Sequence, residues 1–89
     1  MMLVKTKHYK KHATLLPKKD AILLAVQEKL LLTDIFHPKL HTKKLKGFSN
    51  PYVYSFRITR GYRGLFRMEA ETVILFAIGH RKDIYDGLE

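Results

Sequence analysis

The hydrophobic pattern of this chain changes its period at Pro51. Before that residue, apolar side chains recur at the spacing of amphipathic helices, and after it they alternate with a period of two. Helical segments followed by closely spaced strands are typical of a sheet with helices on one face. With 89 residues the chain can bury one modest core. We therefore expect a single two-layer α+β domain that spans residues 1–89.

The N-terminal part predicts one strand and one short helix. Residues 2–6 form a short apolar segment that suits a strand. In residues 7–16 the side chains of Tyr9, Ala13 and Leu16 fall at helical spacing, with lysines between them. Pro17 then ends this helix or begins the next, because proline has no backbone N–H to donate but fits a first turn.

A second helix is predicted from about residue 18 to 33. Its apolar side chains form two neighbouring rows, so we expect a wide apolar face that lies on the sheet, with Gln27 among the polar residues between the rows. The rows are Ile22, Val26 and Leu30, and Leu24, Leu31 and Ile35.

Three strands in a meander are predicted after Pro51, at residues 53–59, 62–69 and 72–78. If the apolar faces of the first two strands coincide, Phe56 pairs with Phe66 and residues 60–62 form the loop. A two-residue loop would instead turn Arg63 into the core, where an unpaired guanidinium costs several kcal/mol. The expected register gathers four side chains on the exposed sheet face: Ser55, Arg57, Arg63 and Arg67.

The connection between the helices and the meander is basic and rich in turn-forming residues. Residues 36–51 include two prolines, a glycine and several lysines, which predicts a long loop. Long loops in small domains are usually functional or mobile. We expect Lys43, Lys44 and Lys46 to contact RNA through its phosphates, with plain solvation of these lysines as the alternative.

Charge and composition narrow the class of partner. The chain has 17 Lys and Arg against 8 Asp and Glu, a formal charge of +9, which favours a polyanionic partner. It has no cysteine, which excludes disulfides, thiol nucleophiles and Cys-based zinc sites and favours the cytoplasm. Neither a signal peptide nor a membrane span is expected.

Two histidine pairs have spacings that suit a metal, His8 with His12 and His37 with His41. No carboxylate or cysteine accompanies either pair, so we expect no metal and no cofactor.

The third strand leads into His80, Arg81 and Lys82, with the phenol of Tyr85 shortly after. These residues leave the sheet close to the arginines of the exposed face, and together they predict a cationic cup. Planar guanidinium groups bind two phosphate oxygens at once and stabilise a pentacoordinate phosphorane. The alternative is that each arginine is simply solvated.

Four motifs carry a resemblance to a known family. They are Leu-Lys-Gly at 45–47, Tyr-Ser-Phe-Arg at 54–57, Gly-Tyr-Arg at 61–63 and Gly-His-Arg-Lys-Asp-Ile-Tyr at 79–85. In this order they resemble the RelE branch of the RelE/ParE toxin superfamily, and the similarity spans essentially the whole chain. The Gly-Tyr-Arg motif and the C-terminal motif are the most specific.

The resemblance implies the toxin of a type II toxin–antitoxin pair, a metal-free endoribonuclease that cuts mRNA in the ribosomal A site. By similarity, Arg63 and Arg81 hold the scissile phosphate and Tyr85 lies near the reaction centre. We also expect Arg67 and Lys82 to contact RNA. The best-known member has two lysines where this chain has Ser55 and Arg57. Arginine stays protonated, so Arg57 can stabilise developing charge but cannot act as the base. The resemblance therefore does not identify the general base, for which His80 is one candidate.

Two other functions fit the same residues. One is a ParE-like inhibitor of DNA gyrase on the same fold, and the other is a binding module that has lost catalysis. A gyrase inhibitor has no need for arginine, histidine and tyrosine around one phosphate, so the C-terminal motif favours the nuclease.

Overall fold

A computed structural model of the chain describes residues 1–84. Along the chain it contains β1 (Met2–Lys5), α1 (Lys7–Thr14), α2 (Lys18–Thr33), a 3-10 turn (Pro38–Leu40), β2 (Lys43–Lys44), β3 (Val53–Arg57), β4 (Tyr62–Glu69) and β5 (Thr72–His80). The second helix has the predicted bounds. The first ends two residues before Leu16, and the last strand runs on through His80.

The strands form one five-stranded mixed sheet in the order β1-β5-β4-β3-β2. The predicted meander is present as β3, β4 and β5, but it is only part of the sheet. The N-terminal strand adds to it by pairing in parallel with β5, from Met2 opposite Thr72 to Lys5 opposite Leu75. On the other edge, Lys43 pairs with Ser55 and Lys44 with Tyr54, so the predicted long loop contains a short strand.

The predicted register between β3 and β4 was wrong by two residues. Phe56 lies opposite Gly64, not Phe66, and Tyr54 lies opposite Phe66. The reason is space, since a Cβ atom on Gly64 would lie 2.3 Å from the Phe56 ring. A shift of two residues leaves every side chain on its predicted face. The hairpin loop is therefore Thr59-Arg60-Gly61, closed by the Ile58 amide donating to the carbonyl of Tyr62 at 3.1 Å.

A β-bulge lies between β4 and β5. Leu65 pairs with Ala77 but Phe66 pairs with Leu75, which leaves Phe76 as the extra residue. The bulge changes which alternate residues of β5 face the helices. Consequently Val73 and Leu75 before it and Ile78 after it all belong to the main core.

The helices cover one face of the sheet, where Leu24 and Leu31 of α2 are buried against Phe56 and Phe66. The predicted wide apolar face of α2 was only partly right. Ile22 is 59% and Val26 49% exposed, whereas the polar Gln27 is 8% exposed. No helix within residues 1–84 has both the length and the apolar character needed to cross a membrane.

A buried tyrosine fixes α1 against α2. Thr6 caps α1 by accepting a hydrogen bond from the amide of Tyr9. The Tyr9 ring is fully buried, and its hydroxyl donates to Glu28 of α2 at 2.9 Å, while Lys5 of β1 lies 3.0 Å from the same carboxylate. Burial raises the pKa of Tyr9, and the charge and hydrogen bond of Glu28 raise it further.

Replacing Tyr9 with Phe should lower the free energy of unfolding at neutral pH by about 1–2 kcal/mol, because the hydrogen bond to a carboxylate is lost. The raised pKa keeps the folded phenol neutral while the unfolded one ionises above about pH 10. This stabilisation is thus present below pH ~10 and is lost as the pH rises further.

Urea unfolding of Tyr9→Phe and wild type at pH 7 and pH 10.5 measures both effects, and the gap should narrow at the higher pH. Tyr52→Phe is the control, because Tyr52 is 54% exposed. A Tyr9→Phe protein as stable as wild type at pH 7 would show that this contact does not stabilise the fold.

Candidate functional site

The sheet face opposite the helices carries Arg57, Arg63 and Arg67, and we call it the arginine face. The observed register places Arg57 directly across from Arg63. Like charges in directly opposed positions of a sheet destabilise it. The same face has an apolar floor, since Val53, Leu65 and Ile74 pair with residues of this face and are buried outside the main core. The arginines of this face are thus surrounded by buried apolar side chains.

The Arg63 guanidinium is held by the hairpin between β3 and β4. Its Nη1 donates to the carbonyl of Thr59 at 2.8 Å, of Tyr62 at 3.0 Å and of Arg60 at 3.2 Å. The amides of Gly61 and Tyr62 donate hydrogen bonds to the Thr59 hydroxyl, which stiffens the same loop. These bonds fix the Arg63 side chain in place, which is the preorganisation that phosphate recognition needs.

The Arg57 side chain lies beside the connection that follows α2. Its Nη1 is 3.3 Å from Nε2 of His41. Its Nε is buried and has no hydrogen-bond partner among residues 1–84. A buried donor without a partner is unfavourable. Within the described chain, Arg57 therefore combines an unpartnered buried donor with a like charge at the opposed position of β4.

The contact of His41 with Arg57 was not predicted from the sequence, where the spacing of His41 to His37 was considered only for a metal and no metal was expected. His41 follows the 3-10 turn and has a φ of 48°, in the left-handed region. The nearest signal in the sequence was the turn-forming pattern of residues 36–51. Its proximity to Arg57 depends on tertiary structure.

Gln27 holds the connection beside β3. Its amide nitrogen donates to the carbonyl of Lys39 at 2.9 Å and to that of Arg57 at 2.7 Å. One buried side chain of α2 thus ties the 3-10 turn to the end of β3. This contact explains why a polar residue occupies the helix face that covers the sheet.

Arg67 differs from the other two arginines in its partners. Its Nε lies 3.3 Å from the Glu69 carboxylate, and its guanidinium carbon lies 5.8 Å from the centroid of the Phe76 ring. The carboxylate neutralises part of its charge. Arg67 shares the predicted face but is less available to a phosphate than Arg57.

His80 does not share the arginine face. It pairs with Tyr62, which packs on the main core, and the two rings meet edge to face at 5.9 Å. Its Nδ1 accepts from the amide of Lys82 at 3.2 Å. The predicted cup therefore does not include the His80 ring, and the catalytic role of His80 stays a prediction.

After β5 the chain turns back toward the arginine face. The amide of Arg81 donates to Gly61 at 2.7 Å, and those of Asp83 and Ile84 donate to the His80 carbonyl. Ile84 lies over Gly79, where an added Cβ would be 3.2 Å from it. Gly79 is the β5 partner of Arg63. Arg81 and Lys82 are exposed on this turn, and Tyr85 lies outside the described residues.

The predicted RNA-binding lysines lie along the edge of the sheet next to β3. Lys43, Lys44 and Lys46 are exposed. Lys43 pairs with Ser55 and so shares the arginine face, whereas Lys44 pairs with Tyr54 on the other face. Within residues 1–84, no three His, Cys, Asp or Glu side chains converge to hold a metal ion.

Comparison with solved structures identifies the fold. A chain of the RelB–RelE antitoxin–toxin complex from Methanococcus jannaschii superposes with a TM-score of 0.77 at 24% identity, over 97% of this chain and 99% of that one. The RelE–RelB complex from Pyrococcus horikoshii gives 0.76 at 17% identity, over 92% and 96%. The isolated RelE toxin of E. coli gives 0.70 at 18% identity, over 97% and 92%.

The chain therefore has the fold of the RelE-type toxins. A YoeB/ParE toxin from Agrobacterium tumefaciens and YafQ from E. coli also match this fold. The predicted resemblance is confirmed at the level of the fold. No protein-family model matches the sequence, and no curated protein matches it.

The unequal partners of the arginines predict unequal contributions to RNA binding. Arg57→Ala should weaken binding of a short single-stranded oligoribonucleotide about 5–10-fold and lower the slope of log affinity against log salt by about 0.7. Arg67→Ala removes the same charge but should weaken binding less than about 2-fold, because Glu69 already pairs with Arg67. Fluorescence anisotropy at several salt concentrations measures both. Equal losses in the two variants would contradict the assignment.

Proposed function

We propose that this protein is the toxin of a type II toxin–antitoxin pair and that it cleaves mRNA on the ribosome as a metal-free endoribonuclease. The observation that carries the proposal is the direct opposition of Arg57 and Arg63 on one face of a RelE-type fold. The cost of placing two arginines at opposed positions of the sheet is offset when both bind one phosphate.

The chemistry requires charge stabilisation above all. When a 2′-hydroxyl attacks the adjacent phosphorus, negative charge builds up on the phosphoryl oxygens of the phosphorane. Fixed guanidinium groups stabilise that charge without having to reorganise. Three loop carbonyls hold Arg63, and Arg57 occupies the paired position on the neighbouring strand. Arg81 and Tyr85, which match the family's C-terminal motif, complete the proposed site.

The ribosome is proposed to supply what an 89-residue chain lacks, namely a surface that presents the message. The formal charge of +9 favours association with ribosomal RNA in the cytoplasm. Exposed lysines at the sheet edge, Lys43, Lys44 and Lys46, add to this attraction, as does Lys82 after β5. Two similar structures were solved as toxin–antitoxin complexes, which supports an antitoxin as the second partner.

The antitoxin proposal has support from α2. Ile22, Leu23 and Val26 leave 41–59% of their surface exposed on one helix. A helix that is apolar on more sides than it buries favours contact with another chain. An amphipathic segment with acidic residues would cover these side chains and offset the positive charge.

Arg57→Ala combined with Arg63→Ala should lower the rate of message cleavage by at least ~100-fold, since both donors to the developing charge are lost. Primer extension on a translated message, with and without ribosomes, measures the rate and shows whether cuts follow the codon frame. The control is Lys7→Ala with Lys29→Ala, which removes the same charge from exposed helix positions.

Three results would contradict the proposal. Message cuts that do not need ribosomes would reject ribosome dependence. A double arginine variant as active as wild type would reject the site. Intact transcripts together with a DNA-damage response after induction would instead favour the gyrase inhibitor.

Co-expression with the protein encoded beside the toxin gene should restore growth if that protein is the antitoxin. Ile22→Lys with Val26→Lys should weaken its binding at least ~10-fold by placing charge on the apolar contact. Titration calorimetry measures the change, and Lys10→Glu on α1 serves as a control for charge alone. Unchanged affinity in the α2 variant would show that the antitoxin does not bind these α2 residues.

A further inference from the structure

We propose that His41 is the general base of the cleavage reaction, an inference that rests on the proposed function. The lysines that the RelE pattern would supply on β3 are absent, and Ser55, which stands in that strand, is 3% exposed. Arg57 cannot accept a proton. His41 is the titratable group that the structure brings to Arg57, with Nε2 and Nη1 3.3 Å apart.

The partner of His41 limits which hydrogen-bonding role its Nε2 can play in this contact. An arginine nitrogen only donates, so the contact is a hydrogen bond when Nε2 carries a lone pair and no proton. A base has to present this same lone pair to the 2′-hydroxyl. Because 3.3 Å is long for such a bond, the guanidinium can exchange it readily for a phosphate oxygen. Binding of the phosphate to Arg57 would thus free Nε2 at the moment it is needed.

The backbone around His41 is built to hold it there. His41 has a φ of 48°, in the left-handed region that a residue with a side chain seldom adopts. Gln27 ties the Lys39 carbonyl, two residues before His41, to the Arg57 carbonyl of β3. Backbone strain of this kind concentrates at functional sites. Gln27 is therefore a positioning residue for the base.

The proposed cleavage step is an intramolecular transesterification at the scissile phosphate. The proton of the 2′-hydroxyl moves to Nε2 of His41 as the O2′–P bond forms. The P–O5′ bond then breaks, and the 5′ oxygen leaves with its electron pair and takes a proton from solvent. The products are a 2′,3′-cyclic phosphate and a 5′-hydroxyl. His41 returns its proton to solvent.

The experiment is chemical rescue of His41→Gly in the ribosome-dependent cleavage assay. Glycine adopts the left-handed backbone of this position without strain, so the variant should fold. We expect the cleavage rate to fall at least ~100-fold, the range in which a general base acts. Added imidazole should restore the rate at least ~10-fold. His41→Asn, which also tolerates this backbone and still accepts a hydrogen bond, should stay slow.

His37→Asn is the matched control, because it removes the other histidine of the same connection. The Nδ1 of His37 caps the 3-10 turn by accepting from the Lys39 amide, and asparagine can replace that acceptor. This variant should cleave at the wild-type rate with or without imidazole.

The outcomes separate this inference from the function on which it rests. A His41→Gly protein as fast as wild type overturns the assignment while the nuclease stands. A slow His41→Gly protein that imidazole does not restore also overturns it, because His41 would then only position Arg57. If wild type itself cuts no message, the proposed function fails, and the role of His41 fails with it.

Discussion

The pairing of β4 with β3 and β5 is the constraint on which the rest of the structure depends. Alternation along these strands, interrupted in β5 by the bulge at Phe76, sends one set of side chains toward the helices and the other set to the arginine face. The absence of a side chain at Gly64 admits the Phe56 ring and so fixes the register. That register also sets Arg57 opposite Arg63. One contact in the core thus determines the spacing of charges on the opposite surface.

The sequence was informative wherever local periodicity governs the outcome. Pro17 and the apolar rows of residues 18–33 located α2 with its observed bounds, and the alternation after Pro51 located the meander. The faces of Arg57 and Arg63 were also predictable, although their exact opposition was not. Alternation along a strand decides which face of the sheet each side chain lies on. The register between two strands depends in addition on the fit of the Phe56 ring against Gly64.

What escaped prediction depends on contacts between distant parts of the chain. Gln27 is polar and sits in a helix, and only its two carbonyl partners on the 3-10 turn and β3 explain its burial. His41 was assigned no role from the sequence, because nothing local links it to Arg57. The same holds for His80, which the bulge at Phe76 and the ring of Tyr62 place on the side of the helices. Alternation counted along β5 without that extra residue gives the wrong face.

The parallel pairing of β1 with β5 has a consequence for the timing of folding. Met2 meets Thr72 only after the helices and the other strands have been made, because β5 is the last strand of the described chain. Closing so long a loop costs entropy before any contact repays it. The strands that carry Arg57 and Arg63 form a local hairpin, whereas the sheet can close at β1 only once β5 has been made.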